Sequence, residues 1–311
     1  MDSSLSMKRS CLFQLLFLLV FPLATRADLF RVATYNVEGY LDAPVPGRPA
    51  KSAESKAKVR ESIRALKPDV LALQEMGSLS ALLELRDSLN AEGLDFPYWE
   101  HVGGFDTNTH LAILSRFPFA ARRPHTNENF LLSGRRFRVS RGFAEVDIQV
   151  STNYSFTLIA AHLKSKRSTA RADEAEMRLE EAKVLREIVD ERLGATSTAN
   201  LVVVGDFNDN KDSQSTKALI GRGRLKLVDT RPTERNGNHT GTPNSHADSR
   251  DITWTHYYGK EDAYNRIDYI LLSPGMAHEW VQSETYILTL PGWGTASDHR
   301  PIVAAFETED K

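Results

Sequence analysis

The chain has 311 residues, of which 41% are hydrophobic and 26% are charged, a composition typical of a globular protein with a large buried core. Its mean hydropathy of −0.38 excludes a polytopic membrane protein, and an aromatic content of 9% argues against intrinsic disorder. A formal net charge of −2 excludes a broad basic surface for tight non-specific binding to duplex DNA, but it leaves room for a local contact with nucleic acid.

Residues 1–27 form a pattern typical of a secretory signal peptide. Lys8 and Arg9 precede an apolar run over residues 11–24, and small residues follow it around Arg26. Because the run is short for a membrane-spanning helix, we expect cleavage after Ala27 and one domain over residues 28–311. Arg26 makes the cleavage site imperfect, so an uncleaved anchor is the alternative. The expected product is a secreted or periplasmic monomer with no stable membrane insertion.

The chain contains one cysteine, Cys11, and it lies inside this leader. The mature protein is therefore expected to have no thiol, no disulfide and no cysteine-based metal site. An exported enzyme without disulfides depends on the size of its core, which a domain of this length supplies.

From residue 29 onward, strand-like and helix-like segments alternate. Short apolar or alternating runs predict strands at residues 29–36, 70–74, 111–115, 142–150, 155–161, 201–205, 266–272 and 301–306. Apolar residues at helical spacing predict helices at residues 52–66, 78–94 and 169–193. Asn153 predicts the turn of a hairpin, and residues 231–251 read as a polar loop. This mixture indicates two sheets packed face to face with helices outside.

Carboxylate, amide and imidazole side chains stand at the ends of one predicted strand after another. They are Asn36, Glu38, Glu75, His162, Asp206, Asn208, Asp268, Asp298 and His299. Polar groups that converge at strand ends can build a site, and carboxylate and amide oxygens suit Mg²⁺, Mn²⁺ or Ca²⁺. The Cys/His spacing of a structural zinc site does not occur in the sequence. The pattern predicts a hard cation and an oxygen-rich anionic substrate, most simply a phosphate ester.

Seven short motifs, in order, resemble those of the endonuclease/exonuclease/phosphatase superfamily, which includes deoxyribonucleases, abasic-site endonucleases, sphingomyelinases and inositol phosphatases. They are T-Y-N-V-E-G at 34–39, P-D-V with L-Q-E within 68–75, I-L-S-R-F-P at 113–118, A-H-L-K-S at 161–165, V-G-D-F-N at 204–208, R-I-D-Y-I-L at 266–271 and S-D-H-R-P at 297–301. The resemblance implies the α/β (α+β) class: a four-layer α/β/β/α sandwich of two packed mixed sheets with outer helices. It places the site at one edge of the sheets.

The resemblance also implies a role for each matching residue. Glu75 would be the principal metal ligand, with Glu38 and Asp298 binding the ion directly or through water. His299 would be the catalytic imidazole, and Asp268 would orient it and fix its tautomer.

The remaining roles concern the water and the phosphate. Asp206 would orient or deprotonate the attacking water, and His162 would donate to a phosphoryl oxygen or protonate the leaving group. Asn36 and Asn208 would hold phosphate oxygens. A histidine at position 162, where abasic-site enzymes commonly have tyrosine, favours the deoxyribonuclease and sphingomyelinase side of the superfamily. The implied reaction is a single-step hydrolysis without a covalent enzyme intermediate.

Several other residues are candidates for substrate contact. Lys164 and Arg178 resemble a pairing in bacterial secreted nucleases and are assigned to phosphate binding, while a salt bridge of Arg178 with Glu174 or Glu181 is the alternative. Four arginines form either a nucleic-acid contact or a strand edge protected from pairing; they are Arg135, Arg136, Arg138 and Arg141. Three histidines of the polar segment are expected to be exposed or to touch substrate; they are His239, His246 and His256. Four aromatic residues would stack a base, face a lipid or simply pack in the core; they are Trp254, Tyr257, Tyr258 and Trp293.

The sequence thus predicts an exported, Mg²⁺-, Mn²⁺- or Ca²⁺-dependent nuclease that cleaves DNA or RNA. A phosphatase of inositol or sugar phosphates is compatible with the acidic net charge and stays open. A sphingomyelinase-like phospholipase requires an exposed aromatic hairpin, which the sequence does not reveal. A non-catalytic binding module is disfavoured because the full set of acids, amides and imidazoles is present.

Overall fold

Two mixed β-sheets of seven and six strands pack face to face in the computed structural model, which describes residues 28–235 and 252–310. The predicted leader with Cys11, and His239 and His246 of the polar segment, lie outside the described residues. Among the described residues, no helix combines the length and the apolar character needed to cross a bilayer. The predicted sandwich of two packed mixed sheets with outer helices is confirmed.

The described strands are β1 (Leu29–Tyr40), β2 (Val70–Met76), β3 (Tyr98–Val102), β4 (His110–Ser115), β5 (Phe119–His125), β6 (Asn129–Leu132), β7 (Arg135–Arg138), β8 (Phe143–Ser151), β9 (Tyr154–His162), β10 (Leu201–Asp206), β11 (Val228–Asp229), β12 (Thr233–Glu234), β13 (His256–Tyr258), β14 (Ala263–Asn265), β15 (Asp268–Leu272), β16 (Trp280–Ile287) and β17 (Ile302–Glu307). The described α-helices are α1 (Ala53–Leu66), α2 (Leu79–Ala91), α3 (Glu174–Ala195), α4 (Gln214–Ile220) and α5 (Trp293–Ala296). The first sheet has the order β12-β16-β17-β1-β2-β4-β3, and the second has the order β11-β15-β10-β9-β8-β5. Two separate hairpins, β6–β7 and β13–β14, complete the sheet structure of this region.

The alternation of side chains along each strand divides the core into three layers. Phe30 and Val32 of β1 point between the sheets, while Ala33 and Tyr35 pack on the other face with residues of α1 and α2. The outer face of the second sheet packs against α3 in the same way. Because both faces of each sheet are buried, central strands such as β10 are continuous apolar runs.

Side-chain caps fix the starts of the helices. The Ser52 and Ser78 hydroxyls accept hydrogen bonds from backbone amides in the first turns of α1 and α2. The third helix was predicted from residue 169, but it begins at Glu174. The Asp173 carboxylate accepts hydrogen bonds from the amides of Ala175 and Glu176, at 3.0 and 2.9 Å, and so ends the preceding loop.

The sequence patterns missed the strands with mixed polarity. Strands β3 and β5 lie at sheet edges, where charged residues and Pro124 are tolerated because one side of the strand is unpaired. The hairpin β13–β14 corrects the expectation that no aromatic hairpin is exposed, since Tyr258 is 39% and Tyr264 54% exposed. Its strands of three residues are too short to show alternation.

A buried carboxylate ties the second sheet to α3. The Glu145 side chain is 0% exposed and pairs with Arg123 and Arg192, each at 2.6 Å, and with His125 at 2.7 Å. Burial opposes ionisation, but His125 and the two arginines outweigh it and lower the pKa of Glu145 from 4.5 to about 2.

Glu145→Gln should therefore lower the free energy of unfolding at neutral pH by about 2 kcal/mol, because two arginines lose their buried partner. The contribution of the ionised Glu145 is present above its unfolded pKa of 4.5 and is lost as pH falls towards 2. Urea melts at pH 7 and pH 3 should show a smaller difference between wild type and variant at pH 3. Glu187→Gln, an exposed position on α3, is the control. A variant as stable as wild type at pH 7 would contradict the structural role.

Candidate active site

The polar residues predicted from strand ends lie at one edge of the sandwich. Strands β1 and β2 are parallel in one sheet, and β9 and β10 are parallel in the other, so their carboxyl ends deliver polar side chains to this edge. The antiparallel β15 begins at the same edge with Asp268, paired in register with Asp206. The turn before β17 adds Asp298 and His299.

The imidazole of His299 lies at the centre of the site. Its Nδ1 is 2.9 Å from Asp268 Oδ2, so a proton on Nδ1 is shared with the carboxylate and Nε2 faces the other polar groups. The backbone amide of Asp268 donates to Thr255 Oγ1 at 3.1 Å. Ser297 Oγ accepts from the His299 amide at 3.0 Å and donates to the Asn36 carbonyl at 2.7 Å. These contacts hold the imidazole and its partner in place.

Three side chains surround His299 Nε2. Asn36 Nδ2 lies 3.4 Å away, Asp206 Oδ2 3.7 Å away and Asp298 Oδ1 3.9 Å away. Asn36 Nδ2 donates to Asp206 Oδ2 at 3.0 Å, and His162 Nε2 is 3.4 Å from the same oxygen. A donor amide, two imidazoles and a carboxylate therefore converge on one small volume.

Burial and neighbouring charge set distinct protonation states for these groups. Burial alone would lower the pKa of His299, but the carboxylates around it, Asp268 foremost, raise that pKa well above its usual value. Burial raises the pKa of Asp206 to about 6, against the opposing charge of His299. Burial, followed by the charge of Arg141, lowers the pKa of His162 well below its usual value, so this imidazole is neutral at pH 7.

The backbone adopts left-handed conformations at three site residues. Glu38, Glu75 and Asn208 have φ angles of 47°, 58° and 55°. The pairing of β1 with β2 shifts register between Asn36 and Tyr40, and this bulge contains Glu38. A non-glycine residue in this region costs about 1 kcal/mol or more, and such residues cluster at functional sites. The bulge thus aims carboxylates at the edge of the sheet.

The oxygen donors at this edge fit a divalent cation. Burial raises the pKa of Glu38, and the negative charges of Asp298 and Glu75 raise it further, so a cation would relieve their mutual repulsion. The Glu75 carboxylate is paired instead with Arg48, from the loop after β1. Glu38, Glu75 and Asp298 are the residues that would hold an ion.

Two groups of three potential ligands converge within 4.8 Å among the described residues; they are His256 with Asp298 and His299, and Asp206 with Asp268 and His299. Glu38 and Glu75 belong to neither group, so of the three residues assigned to the metal only Asp298 lies in one of them.

The residues assigned to phosphate binding lie at different depths. Asn208 donates from Nδ2 to the Leu163 carbonyl at 3.1 Å and to Asp206 Oδ2 at 3.3 Å, and so braces the base of the site. Lys164 is partly buried, and its ammonium donates to the carbonyls of Ser165 and Arg167 at 3.0 and 2.9 Å.

Arg178 is buried, with an exposure of 3%. Its guanidinium donates to Asp209 Oδ2 at 3.1 Å and to the Lys164 carbonyl at 3.0 Å. The alternative prediction, a salt bridge of Arg178 with Glu174 or Glu181, is wrong, because Arg178 pairs with Asp209 instead. The Glu181 carboxylate accepts from backbone amides and a hydroxyl, and of Glu174 only the carbonyl is contacted. Arg178 thus supports the loop that contains Lys164. Its contact with phosphate stays a prediction.

Sequence reasoning missed or misplaced three residues of the site. His256 was expected to be exposed, but its side chain is 16% exposed and its Nε2 lies 3.6 Å from Asp298. Its ring centroid is 4.6 Å from that of His299. Arg48 and Thr255 carry no signal in the sequence, since their partners are remote in the chain. His256 begins β13, a strand of three residues that is too short to show a pattern in the sequence.

Comparison with known proteins points to one family. A family model described as "Endonuclease/Exonuclease/phosphatase family" matches residues 33–299. No curated protein sequence matches the chain.

Several solved structures share the fold. Truncated TDP2 from Caenorhabditis elegans is 17% identical, with a TM-score of 0.59 over 90% of this chain and 97% of that one. The human Nocturnin catalytic domain is 16% identical, with a TM-score of 0.61 over 91% and 98%. Sphingomyelinase C from Streptomyces griseocarneus is 19% identical, with a TM-score of 0.58 over 90% and 100%. At these identities the likeness concerns the fold alone.

Glu75→Gln should weaken Mn²⁺ binding by about tenfold or more, because it removes a charged ligand. Arg48→Gln should have the opposite effect and tighten Mn²⁺ binding, because it removes the cation that competes for Glu75. Calorimetric titration of the purified protein measures both, with Glu187→Gln as the control. Unchanged affinity in Glu75→Gln would remove Glu75 from the ligand set.

Proposed function

The chain belongs to the endonuclease/exonuclease/phosphatase family, whose members are generally phosphoester hydrolases, and on this premise we propose that it is an exported, metal-dependent nuclease. Its substrate would be the phosphodiester bond of DNA or RNA, attacked in line by water. The observation that carries the proposal is the convergence of Asn36, Asp206 and the Asp268–His299 pair on one volume. Export is inferred from the signal-peptide pattern of residues 1–27.

The side chains divide the chemistry between them. With a pKa of about 6, Asp206 is largely ionised at pH 7, and its carboxylate would orient the attacking water and accept its proton. His299, held through Nδ1 by Asp268, would donate from Nε2 to a phosphoryl oxygen as negative charge develops there. Neutral His162 would donate a hydrogen bond to the leaving-group oxygen, which takes its proton from solvent as the P–O bond breaks. A bound Mg²⁺, Mn²⁺ or Ca²⁺ would act as a Lewis acid that stabilises negative charge on the phosphate.

A cationic hairpin beside the site supports a polymeric substrate. Arg135, Arg136 and Arg138 lie on β7 and are exposed. The fourth arginine of the predicted cluster, Arg141, has a side chain that is 11% exposed and donates to the Leu163 carbonyl at 3.1 Å. After β7 the chain runs to Ser140, whose amide and hydroxyl donate to Glu181 Oε1 at 2.9 and 2.6 Å. The other oxygen of the Glu181 carboxylate accepts a hydrogen bond from the Lys164 amide at 2.7 Å. Because Lys164 follows His162 by two residues, Glu181 links the hairpin to the catalytic edge.

A row of arginines outside the catalytic volume suits successive phosphates of a strand better than the single phosphate group of a small ester. This placement favours a nuclease over a phosphatase of inositol or sugar phosphates. The net charge of −2 and this local cationic surface are compatible, because the three arginines are concentrated on one short strand.

Asp206→Asn and His299→Ala should each lower the rate of plasmid nicking with Mg²⁺ by at least about a hundredfold, since each removes a proton-transfer or charge-stabilising group. Asp212→Asn, at an exposed position, is the control, and thermal melts check that the variants fold. Wild-type protein is tested on plasmid DNA, RNA, sphingomyelin and inositol phosphates. Phosphate release from a small ester without cleavage of nucleic acid, or full activity in excess chelator, would contradict the proposal.

The double variant Arg136→Ala/Arg138→Ala should raise KM for single-stranded nucleic acid severalfold and leave kcat nearly unchanged. Each lost phosphate contact should reduce the salt dependence of binding, in log–log form, by about 0.7. The matched control is Arg64→Ala/Arg116→Ala, whose side chains are 52% and 62% exposed and lie towards the opposite edge. Turnover of bis(p-nitrophenyl) phosphate should be unaffected. An equal loss on this small ester would place the hairpin in folding rather than in substrate binding.

A further inference from the structure

A recess of about 610 Å³ opens directly beside the catalytic carboxylates. Its lining includes the carboxylate residues Glu38 and Asp298 and the aromatic residues Tyr257, Tyr258 and Trp293. Glycines 259, 292 and 294 contribute the rest of the wall together with Lys260, so much of the lining has no side chain. Apart from the metal-binding role assigned to Glu38 and Asp298, the roles assigned above leave this space unused.

The aromatic wall is attached to the catalytic centre through the backbone. His256, at the start of β13, forms an isolated β-bridge with His299. The Tyr257 amide donates to the Asp298 carbonyl at 3.0 Å, and the Arg300 amide donates to the Thr255 carbonyl at 2.6 Å. Residues 298–300, which include the catalytic His299, therefore also hold β13 and its aromatic rings in place.

The rings also support one another. Trp254 lies edge-to-face with Trp293 and Tyr264, at centroid distances of 5.3 and 5.0 Å. Tyr257 packs against Tyr264 at 4.7 Å, and the buried guanidinium of Arg300 lies 3.4 Å from the Trp254 ring centroid. Ligand binding to rings held in this way costs little side-chain entropy.

We propose that this recess binds, by stacking, the base of a nucleotide that adjoins the scissile phosphate. The inference rests on the proposed nuclease function and narrows its substrate to nucleic acid with accessible bases: single strands, loops or ends. A planar, uncharged ring fits a recess that is lined by aromatic residues and lies beside the carboxylates that would hold the metal ion. Bases within a duplex are stacked on each other and do not reach such a recess.

The chemistry of the hairpin turn disfavours a lipid surface as the occupant. The turn between β13 and β14 consists of Gly259, Lys260, Glu261 and Asp262, all exposed. Insertion of this tip among acyl chains would desolvate three charged side chains. The rings instead flank the recess that leads to the catalytic carboxylates.

The test compares two phosphate esters that differ only in the base. Adenosine 5′-monophosphate and ribose 5-phosphate are titrated calorimetrically into wild-type protein with Mg²⁺. We expect the nucleotide to bind ~10-fold more tightly, the size of one base–aromatic stack. Tyr258→Ala/Trp293→Ala should remove this advantage and leave the affinity for ribose 5-phosphate unchanged. Tyr98→Ala, an exposed tyrosine on an edge strand, is the control.

A second variant blocks the recess without removing a ring. A Cβ built on Gly294 meets no atom within 4 Å, and Gly292 likewise faces open space. Gly294→Leu should therefore fold normally and weaken binding of the nucleotide more than that of ribose 5-phosphate.

Equal affinity of wild-type protein for the two esters would overturn the proposed subsite, as would a double variant that loses both equally. Binding to sphingomyelin vesicles that the double variant abolishes would identify a lipid surface instead and would also overturn it. Failure of the nuclease assignment looks different: base-dependent binding would persist while DNA and RNA are not cleaved. Cleavage of nucleic acid without a base-dependent affinity would leave the nuclease standing and remove the subsite alone.

Discussion

Two hydrogen bonds between the sheets hold the catalytic edge together. Asn36 of the first sheet donates to Asp206 of the second at 3.0 Å, and Asp268 of the second sheet faces His299, just before β17 of the first, at 2.9 Å. All four residues are at most 5% exposed. A buried carboxylate without its partner costs several kcal/mol, so the stacking of the two sheets and the chemistry of the site depend on the same contacts.

The surroundings of this edge differ on its two sides. A cationic hairpin, β6–β7, lies beside α3 and the loop that follows β9, where positive charge suits a phosphate backbone. An aromatic recess lies on the side of Glu38 and Asp298, where planar uncharged groups are preferred. The carboxylates between them fit a divalent ion. One strand of nucleic acid would present phosphates to the first surface and a base to the second, so its chemistry matches both.

Much of this site could be predicted from the sequence because its residues stand at the ends of apolar strands, which are local patterns. Asp206 after L-V-V-V-G is an example. The pairing of Asp268 with His299 was implied by the resemblance of the motifs to those of the family. The left-handed backbone at Glu38 and Glu75 was not predictable, because a bulge depends on the register of two strands rather than on either sequence. The edge strands and the ion pair of Arg48 with Glu75 could not be predicted either, because both depend on neighbours that are remote in the sequence.

At this edge of the sandwich we expect the oxygen of water to attack phosphorus, so that a P–O bond and not a C–O bond is broken. Mass spectrometry of a single-stranded oligonucleotide cleaved with Mg²⁺ in ¹⁸O-enriched water tests it in one step. We expect one ¹⁸O atom in each newly formed phosphate end and none in the hydroxyl end. Intact oligonucleotide, or cleaved ends with ¹⁸O only in the hydroxyl, would contradict it.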